Sequence, residues 1–345
     1  MLMKVIAPAT RVLFRILPWS TKSYVKRIIH NSSLWQHAYR ASIQTLSRHQ
    51  SLLRRSPRVI LECTNLCNAH CAQCPRTYMT RGLGAMDLGF FKKLVDQCVQ
   101  WRVADMCLSN FGEPLLDRHI FERVQYAKQA GIQSVSMFTN ASLLDEQACV
   151  HLLDAGLDHL EVSIDGYSDE IYGALRPPLQ LKKIKANLHW FIELKNSRNS
   201  KTTIGVNFVR TRVNYDEYQD FVSYWRHYVD RVDSVDANYW GGILKGKVDT
   251  KRWSAKSQVY FPCYRLWSEL TVLWDGRVSI CCQDFDGAII LGDATRESLE
   301  GIWRGRMITE LRAIHRKSAL SDISLCKDCL IGREPLGWFS YLLSA

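Results

Sequence analysis

The first 61 residues contain no aspartate or glutamate, against eleven lysines and arginines. This absence locates the charge. The whole formal excess of +11 lies in that segment, and the rest of the chain balances 34 basic against 34 acidic side chains. A nucleic-acid partner needs a basic footprint on the folded body, and none is legible there. Also missing is any apolar run of ~18 to 20 residues, so the sequence offers no transmembrane span. It has no internal repeat, no low-complexity tract and no clear secretory signal. Twelve cysteines would suit a disulfide scaffold in a short secreted chain, but here they are clustered in a chain of 345 residues. Metal ligation in a reducing compartment accounts for them better, and a cytoplasmic location is expected.

The acid-free segment mixes basic and apolar side chains. Val12, Leu13, Ile16 and Leu17 share one helical face before Pro18 interrupts it, and a second helix is expected from about Trp35 to Leu53. Residues 1–57 therefore read as a basic amphipathic extension. It either packs on the body, makes peripheral contact with an anionic membrane, or serves as a targeting peptide.

From residue 58 short apolar strands alternate with amphipathic helices. Strands are expected at 58–62, 105–110, 134–140, 159–165, 202–209 and 234–240. Helices are expected near 89–98, 119–130, 144–155 and 180–196. Repeated strand–helix units argue for parallel strands with right-handed crossovers. Polar residues recur at the strand ends (Glu62, Asn110, Asn140, Asp165 and Arg210), where sites of such folds gather. A connection follows over 241–261. A second unit over 262–331 holds a hairpin, turned by Asp275-Gly276, and a helix over 298–316; a tail covers 332–345.

CNAHCAQC, residues 67–74, supplies three thiols and no fourth beside them. Three cysteines leave one iron of a [4Fe-4S] cubane open, whereas zinc would take four ligands or three and a water, with His70 or Cys63 within reach in sequence. Spacing alone leaves both readings open. The loop resembles the CxxxCxxC signature of the radical S-adenosylmethionine (radical SAM) enzymes, through Cys67, Cys71 and Cys74 after a first barrel strand. The resemblance covers residues 58–240 and implies a partial (β/α)6 TIM-like barrel. It also implies that SAM chelates the open iron and is cleaved to a 5'-deoxyadenosyl radical. Phe111-Gly112-Glu113-Pro114 resembles the family's GGEP segment. Asn140, Ser163 and Asp165 match strand-end positions that reach SAM, and Arg210 is the candidate for the SAM carboxylate or the substrate. Two departures stand out: Phe111 replaces a glycine, and Gln73 occupies the position before the last loop cysteine, where an aromatic is common.

The segment from Cys263 to Cys329 resembles the SPASM or twitch extension of such barrels, a small α+β iron–sulfur domain. Its cysteines suffice for one auxiliary [4Fe-4S] cluster, with Cys263, Cys281, Cys326 and Cys329 as ligands and zinc as the alternative. Choosing Cys281 over Cys282 follows the resemblance to the twitch domain of an alcohol dehydrogenase of aminoglycoside synthesis. Cys282 is either structural or a hydrogen-atom donor to a substrate radical. Cys98, Cys107 and Cys149 lie in apolar contexts and read as buried small hydrophobes. The expected reaction is oxidation of a sugar- or cyclitol-like alcohol, with a flavodoxin- or ferredoxin-type electron donor. Epimerisation, peptide maturation and modification of a lipid-linked substrate are the alternatives. No recognisable small peptide-binding domain precedes the barrel, which ranks peptide maturation lower.

Overall fold

The computed structural model describes residues 56–248 and 262–329, together with His37 and Ala41, both helical. The rest of the expected N-terminal extension, part of the connection and the tail lie outside the described residues. Among the described residues no helix is long and apolar enough to cross a membrane.

The chain alternates strands and helices in the order β1 (Arg58–Leu61), α1 (Leu88–Gln100), β2 (Asp105–Cys107), α2 (Ile120–Ala130), β3 (Ser134–Thr139), α3 (Glu146–Asp154) and β4 (His159–Ser163). Next come α4 (Asp169–Leu175), α5 (Leu181–Ser197), β5 (Thr203–Arg210), α6 (Tyr218–Trp225) and β6 (Arg231–Asp236). After the connection follow α7 (Arg265–Ser268), β7 (Glu269–Val272), β8 (Arg277–Ser279), β9 (Ile290–Asp293), α8 (Leu299–Arg304), α9 (Arg306–Arg316) and α10 (Ser324–Lys327). Local chemistry sets several boundaries. Asp87, Asp145 and Ser168 accept hydrogen bonds from the backbone N–H of Phe90, Ala148 and Ile171, capping α1, α3 and α4. Gly131 ends α2 at φ +106°.

The nine strands form one sheet in the order β6-β5-β4-β3-β2-β1-β7-β8-β9. Strands β1 to β6 are parallel and in sequence order, the winding of a partial TIM-like barrel, so their C-terminal ends open on one side. Alternate residues supply the core. Val59, Leu61, Met106, Val135, Met137, Leu160, Val162, Val206 and Phe208 are fully buried with Phe91, Leu94 and Val95 of α1. The positions between them include Ser136, Glu161, Ser163 and Asn207, a more polar opposite face. The expected hairpin is β7–β8, and it continues the barrel sheet: β7 pairs parallel with β1, Arg58 opposite Glu269 through Leu61 opposite Val272.

Three expectations change. The sixth strand covers Arg231–Asp236, earlier than expected, because it is an exposed edge whose sequence RVDSVD lacks an apolar alternation. The helix expected over 298–316 divides at Gly305, which is extended at ψ 173°. Helices α4, α6, α7 and α10 and strand β9 were not expected.

Candidate active site

Glu62, immediately after β1, organises the barrel mouth. It is fully buried and pairs with Arg81 through two bonds, Nη1 to Oε2 at 2.6 Å and Nη2 to Oε1 at 2.5 Å. The same carboxylate accepts from the backbone N–H of Phe111 and of Trp274, each at 3.3 Å. One anion thus ties together the cysteine-loop strand, the Phe111–Pro114 segment and the turn of the β7–β8 hairpin.

The cysteine loop is held against the segment that closes α4. His70 N–H donates to Pro177 O at 2.7 Å and Ala72 N–H to Leu175 O at 2.9 Å. Cys67, Cys71 and Cys74 are half-buried. Burial pushes all three thiols up, Cys71 to about 12, against the opposing charge of Arg176; neighbouring thiols add to the rise at Cys71 and Cys74. Ionised thiolates in this loop therefore need a cationic centre beside them.

Gly112 has no room for a side chain. A Cβ there would overlap the carbonyl oxygen of Thr64 and lie 3.0 Å from Asn65 Cα. The close approach lets Glu113 N–H reach Leu66 O at 2.7 Å. Glu113 is buried, which raises its pKa against three bonds that favour the anion: from Asn140 N–H (2.7 Å), Thr139 Oγ1 (2.7 Å) and Leu115 N–H (3.1 Å). Pro114 opens the short 3-10 turn that follows. Asn140 then reaches back to the cysteine loop, donating from Nδ2 to Asn68 Oδ1 at 2.9 Å. Gly112, Glu113, Pro114 and Asn140 are therefore linked to the loop at the ends of β2 and β3.

Ser163 ends β4 half-buried, opposite Asn207. Asp165 is fully buried and both of its carboxylate oxygens are engaged by protein. Oδ2 accepts from Arg176 Nε at 2.6 Å and from Gln73 Nε2, and Oδ1 accepts from Val209 N–H at 2.7 Å. Because the Gln73 amide nitrogen faces this carboxylate, its Oε1 turns away, buried and without a hydrogen-bond partner among the described residues. Arg210 does not stand free at the mouth: its Nη2 pairs with Asp236 Oδ1 at 3.0 Å, and its guanidinium lies 5.5 Å from the Tyr218 ring centroid.

In the C-terminal unit Cys263, Cys281, Cys326 and Cys329 line one cavity with Asn238, Gly241 and His315. Cys282, next in sequence to Cys281, is directed elsewhere. It accepts from Arg265 Nη1 at 2.8 Å, within an Arg265–Glu269 ion pair of 2.5 Å. The two thiols thus diverge in the turn that follows β8, which ends at Ser279, and not by alternation along a strand. Burial raises the Cys263 thiol to about 12 and that of Cys281 well above its ordinary range. Among the described residues no three His, Cys, Asp or Glu side chains converge on a single-ion site.

Residues 61–222 match the profile of the radical SAM superfamily, and residues 263–330 that of an iron–sulfur cluster-binding domain, SPASM. Residues 61–222 are thus a radical SAM domain, followed by a SPASM domain. Its relatives include a probable GTP 3',8-cyclase of Methanothermobacter thermautotrophicus, 29% identical over 167 residues, covering 48% of this chain and 52% of the relative. A PqqA peptide cyclase of Bradyrhizobium diazoefficiens is 26% identical over 231 residues, covering 64% and 56%. The chain thus spans about half the length of these curated relatives. Two solved structures share the fold. BtrN, in complex with AdoMet and 2-DOIA, has a TM-score of 0.56 at 19% identity, covering 79% of this chain and 92% of that one. Streptococcus suis SuiB, bound to precursor peptide SuiA, has a TM-score of 0.63 at 13% identity, covering 84% and 73%. Radical SAM and SPASM domains imply SAM and [4Fe-4S] clusters as cofactors, and the residues present suit them. The donor sets are thiols, and Gln73 Oε1 is a buried acceptor within the loop.

Sequence reading missed four participants of this radical SAM barrel and its extension. Arg176 neutralises Asp165, and Trp240, at φ +50°, donates from Nε1 to Gln73 O at 3.0 Å and meets Phe111 edge-on. Asn238 Nδ2 bonds Gln283 Oε1 at 2.6 Å, joining the end of the barrel to the auxiliary cavity. His315 lies on that cavity's wall. Only Trp240, a bulky residue before Gly241-Gly242, carried a visible signal.

Proposed function

We propose that this enzyme oxidises a secondary alcohol of a sugar- or cyclitol-like small molecule. The carrying observation is that Cys263, Cys281, Cys326 and Cys329 line one cavity while the barrel carries a separate three-cysteine loop. With SAM and the clusters bound, the site would supply a 5'-deoxyadenosyl radical to take the carbinol hydrogen and an acceptor for the second electron. The hydroxyl proton leaves to a base. In this reading residues 58–240 form the catalytic barrel, 262–331 the auxiliary unit, and 1–57 and 332–345 flanking segments.

Cys67, Cys71 and Cys74 hold the open cluster. The Gly112–Pro114 backbone, Glu113, Asn140 and Ser163 line the SAM side. Asp165 acts through Gln73, whose free Oε1 it aims, and Arg210 is kept oriented by Asp236 for a carboxylate or substrate oxygen. Cys263, Cys281, Cys326 and Cys329 hold the auxiliary cluster. Cys282, clasped by Arg265 and Glu269, is better suited to support than to hydrogen donation. A flavodoxin- or ferredoxin-type protein is the proposed reductant.

Peptide modification is the second reading, favoured by the likeness to PqqA peptide cyclase over 64% of the chain. The test incubates reduced, reconstituted enzyme and SAM with carbinol-deuterated cyclitols and sugars, and separately with deuterated peptides. Deuterium in 5'-deoxyadenosine together with a ketone supports the first reading, and label transfer from peptides alone overturns it.

A further inference from the structure

His315 touches two of the four cysteines that line the auxiliary cavity. The backbone N–H of Cys263 donates to its Nδ1 at 3.2 Å, and its Nε2 lies 3.7 Å from Cys326 Sγ. An Nδ1 that accepts carries no proton, so the ring proton of the neutral imidazole sits on Nε2, directed at sulfur. The contact is therefore an N–H···S hydrogen bond of fixed polarity. The ring has little freedom to leave it: His315 is 1% exposed. Its helix α9 is anchored one turn earlier by Arg312, which donates to Leu266 O at 2.8 Å and to Trp303 O at 3.1 Å, its guanidinium 4.2 Å from the Trp303 ring centroid.

We propose that His315 is a positioning residue of the auxiliary centre, setting its reduction potential through a hydrogen bond to the Cys326 thiolate while its other nitrogen fixes Cys263. This rests on the reading that the four cysteines hold a cluster. Hydrogen bonds to cluster sulfurs stabilise the more negative, reduced state and so raise the potential. A centre that must take an electron from a substrate radical gains driving force from such a donor. The bond also gives the imidazole a partner on a wall where Leu266, Ile280 and Leu325 offer none.

The test uses the full chain with Cys67, Cys71 and Cys74 changed to Ala, reconstituted anaerobically so that only the auxiliary centre titrates. Two substitutions separate the nitrogens. H315Q keeps an N–H donor at the reach of Nε2, whereas H315N keeps a polar group only at the position of Nδ1. H315N is expected to lower the reduction equilibrium constant about tenfold, ~59 mV for one electron, and H315Q to stay near the native value. An unchanged potential in H315N overturns the proposal. A second measurement needs no substitution at His315: electron–nuclear double resonance of the reduced centre with 15N-histidine, in H2O and D2O. A weak nitrogen coupling with an exchangeable proton is the expected result; absence of both, or the strong coupling of a direct ligand, overturns it. Absence of any cluster in the triple-alanine chain with His315 intact would instead overturn the auxiliary-cluster reading beneath it.

Discussion

At the scale of single residues the site depends on positions with no alternative. Gly112 is one, because an added methyl group meets the backbone of residues 64 and 65, which cannot move without displacing the cysteine loop. G112A is expected to destabilise the fold by about 1–3 kcal/mol, as overpacking does, and to weaken SAM binding; denaturant melts and equilibrium dialysis check the two effects. The adjacent thiols Cys281 and Cys282 give a sharper contrast. C281S should remove the auxiliary cluster and halve the iron bound, because Cys281 faces the cavity with the other three cysteines. C282S should retain it, because that sulfur sits in the Arg265–Glu269 pair. Iron and sulfide analysis decides, and the reverse result would exchange the two ligands. The first cysteine set was legible as a close-spaced motif, and the second through its resemblance to the SPASM or twitch extension. Their supports were not: Asp165 meets Gln73 across 92 positions, and His315 meets Cys263 across 52.

Among the elements, legibility followed burial. Strands β1 to β5 announced themselves because each carries buried apolar residues, as a short run in β1 or in alternation in β4 and β5. Edge strand β6 did not, being half-solvated and charged, and Gly305 divides α8 from α9 without any break in the apolar face. Between elements, the loop after β8 clasps the segment after the cysteine loop through Asp286. Its carboxylate accepts from Thr80 N–H and Thr80 Oγ1, both at 2.6 Å, and from Arg81 N–H at 2.9 Å. Burial alone would raise its pKa, but these bonds outweigh it and hold the group below the ordinary 3.8. A carboxylate depressed on folding contributes stability that is present above its unfolded pKa and is lost as pH falls through the folded value. The clasp should therefore hold near neutrality and release only below about pH 3.8. D286N should loosen it at every pH, read as faster amide hydrogen exchange over 76–86 with little change in α1 or α2.

On the scale of the whole molecule, the barrel and its extension share one sheet, joined where β7 lies parallel to β1. Glu62 completes the joint, since one buried carboxylate serves Arg81, the Phe111 backbone and the Trp274 backbone of the hairpin turn. A unit tethered only by a linker would unfold by itself, whereas a shared sheet with a buried ionic hub couples the two parts. Denaturant unfolding followed by circular dichroism and by the absorbance of an auxiliary cluster should therefore coincide. Cluster loss well before the sheet melts would mean that the extension is independent. E62Q tests the hub itself. It leaves the Arg81 guanidinium buried without its anion, and breaking a buried pair costs about 3–5 kcal/mol. Because the hub joins both parts, that loss should lower both signals together and move their midpoints by the same amount. If E62Q shifts only the circular dichroism midpoint, the hub stabilises the barrel alone, and the joint rests on the β1–β7 hydrogen bonds.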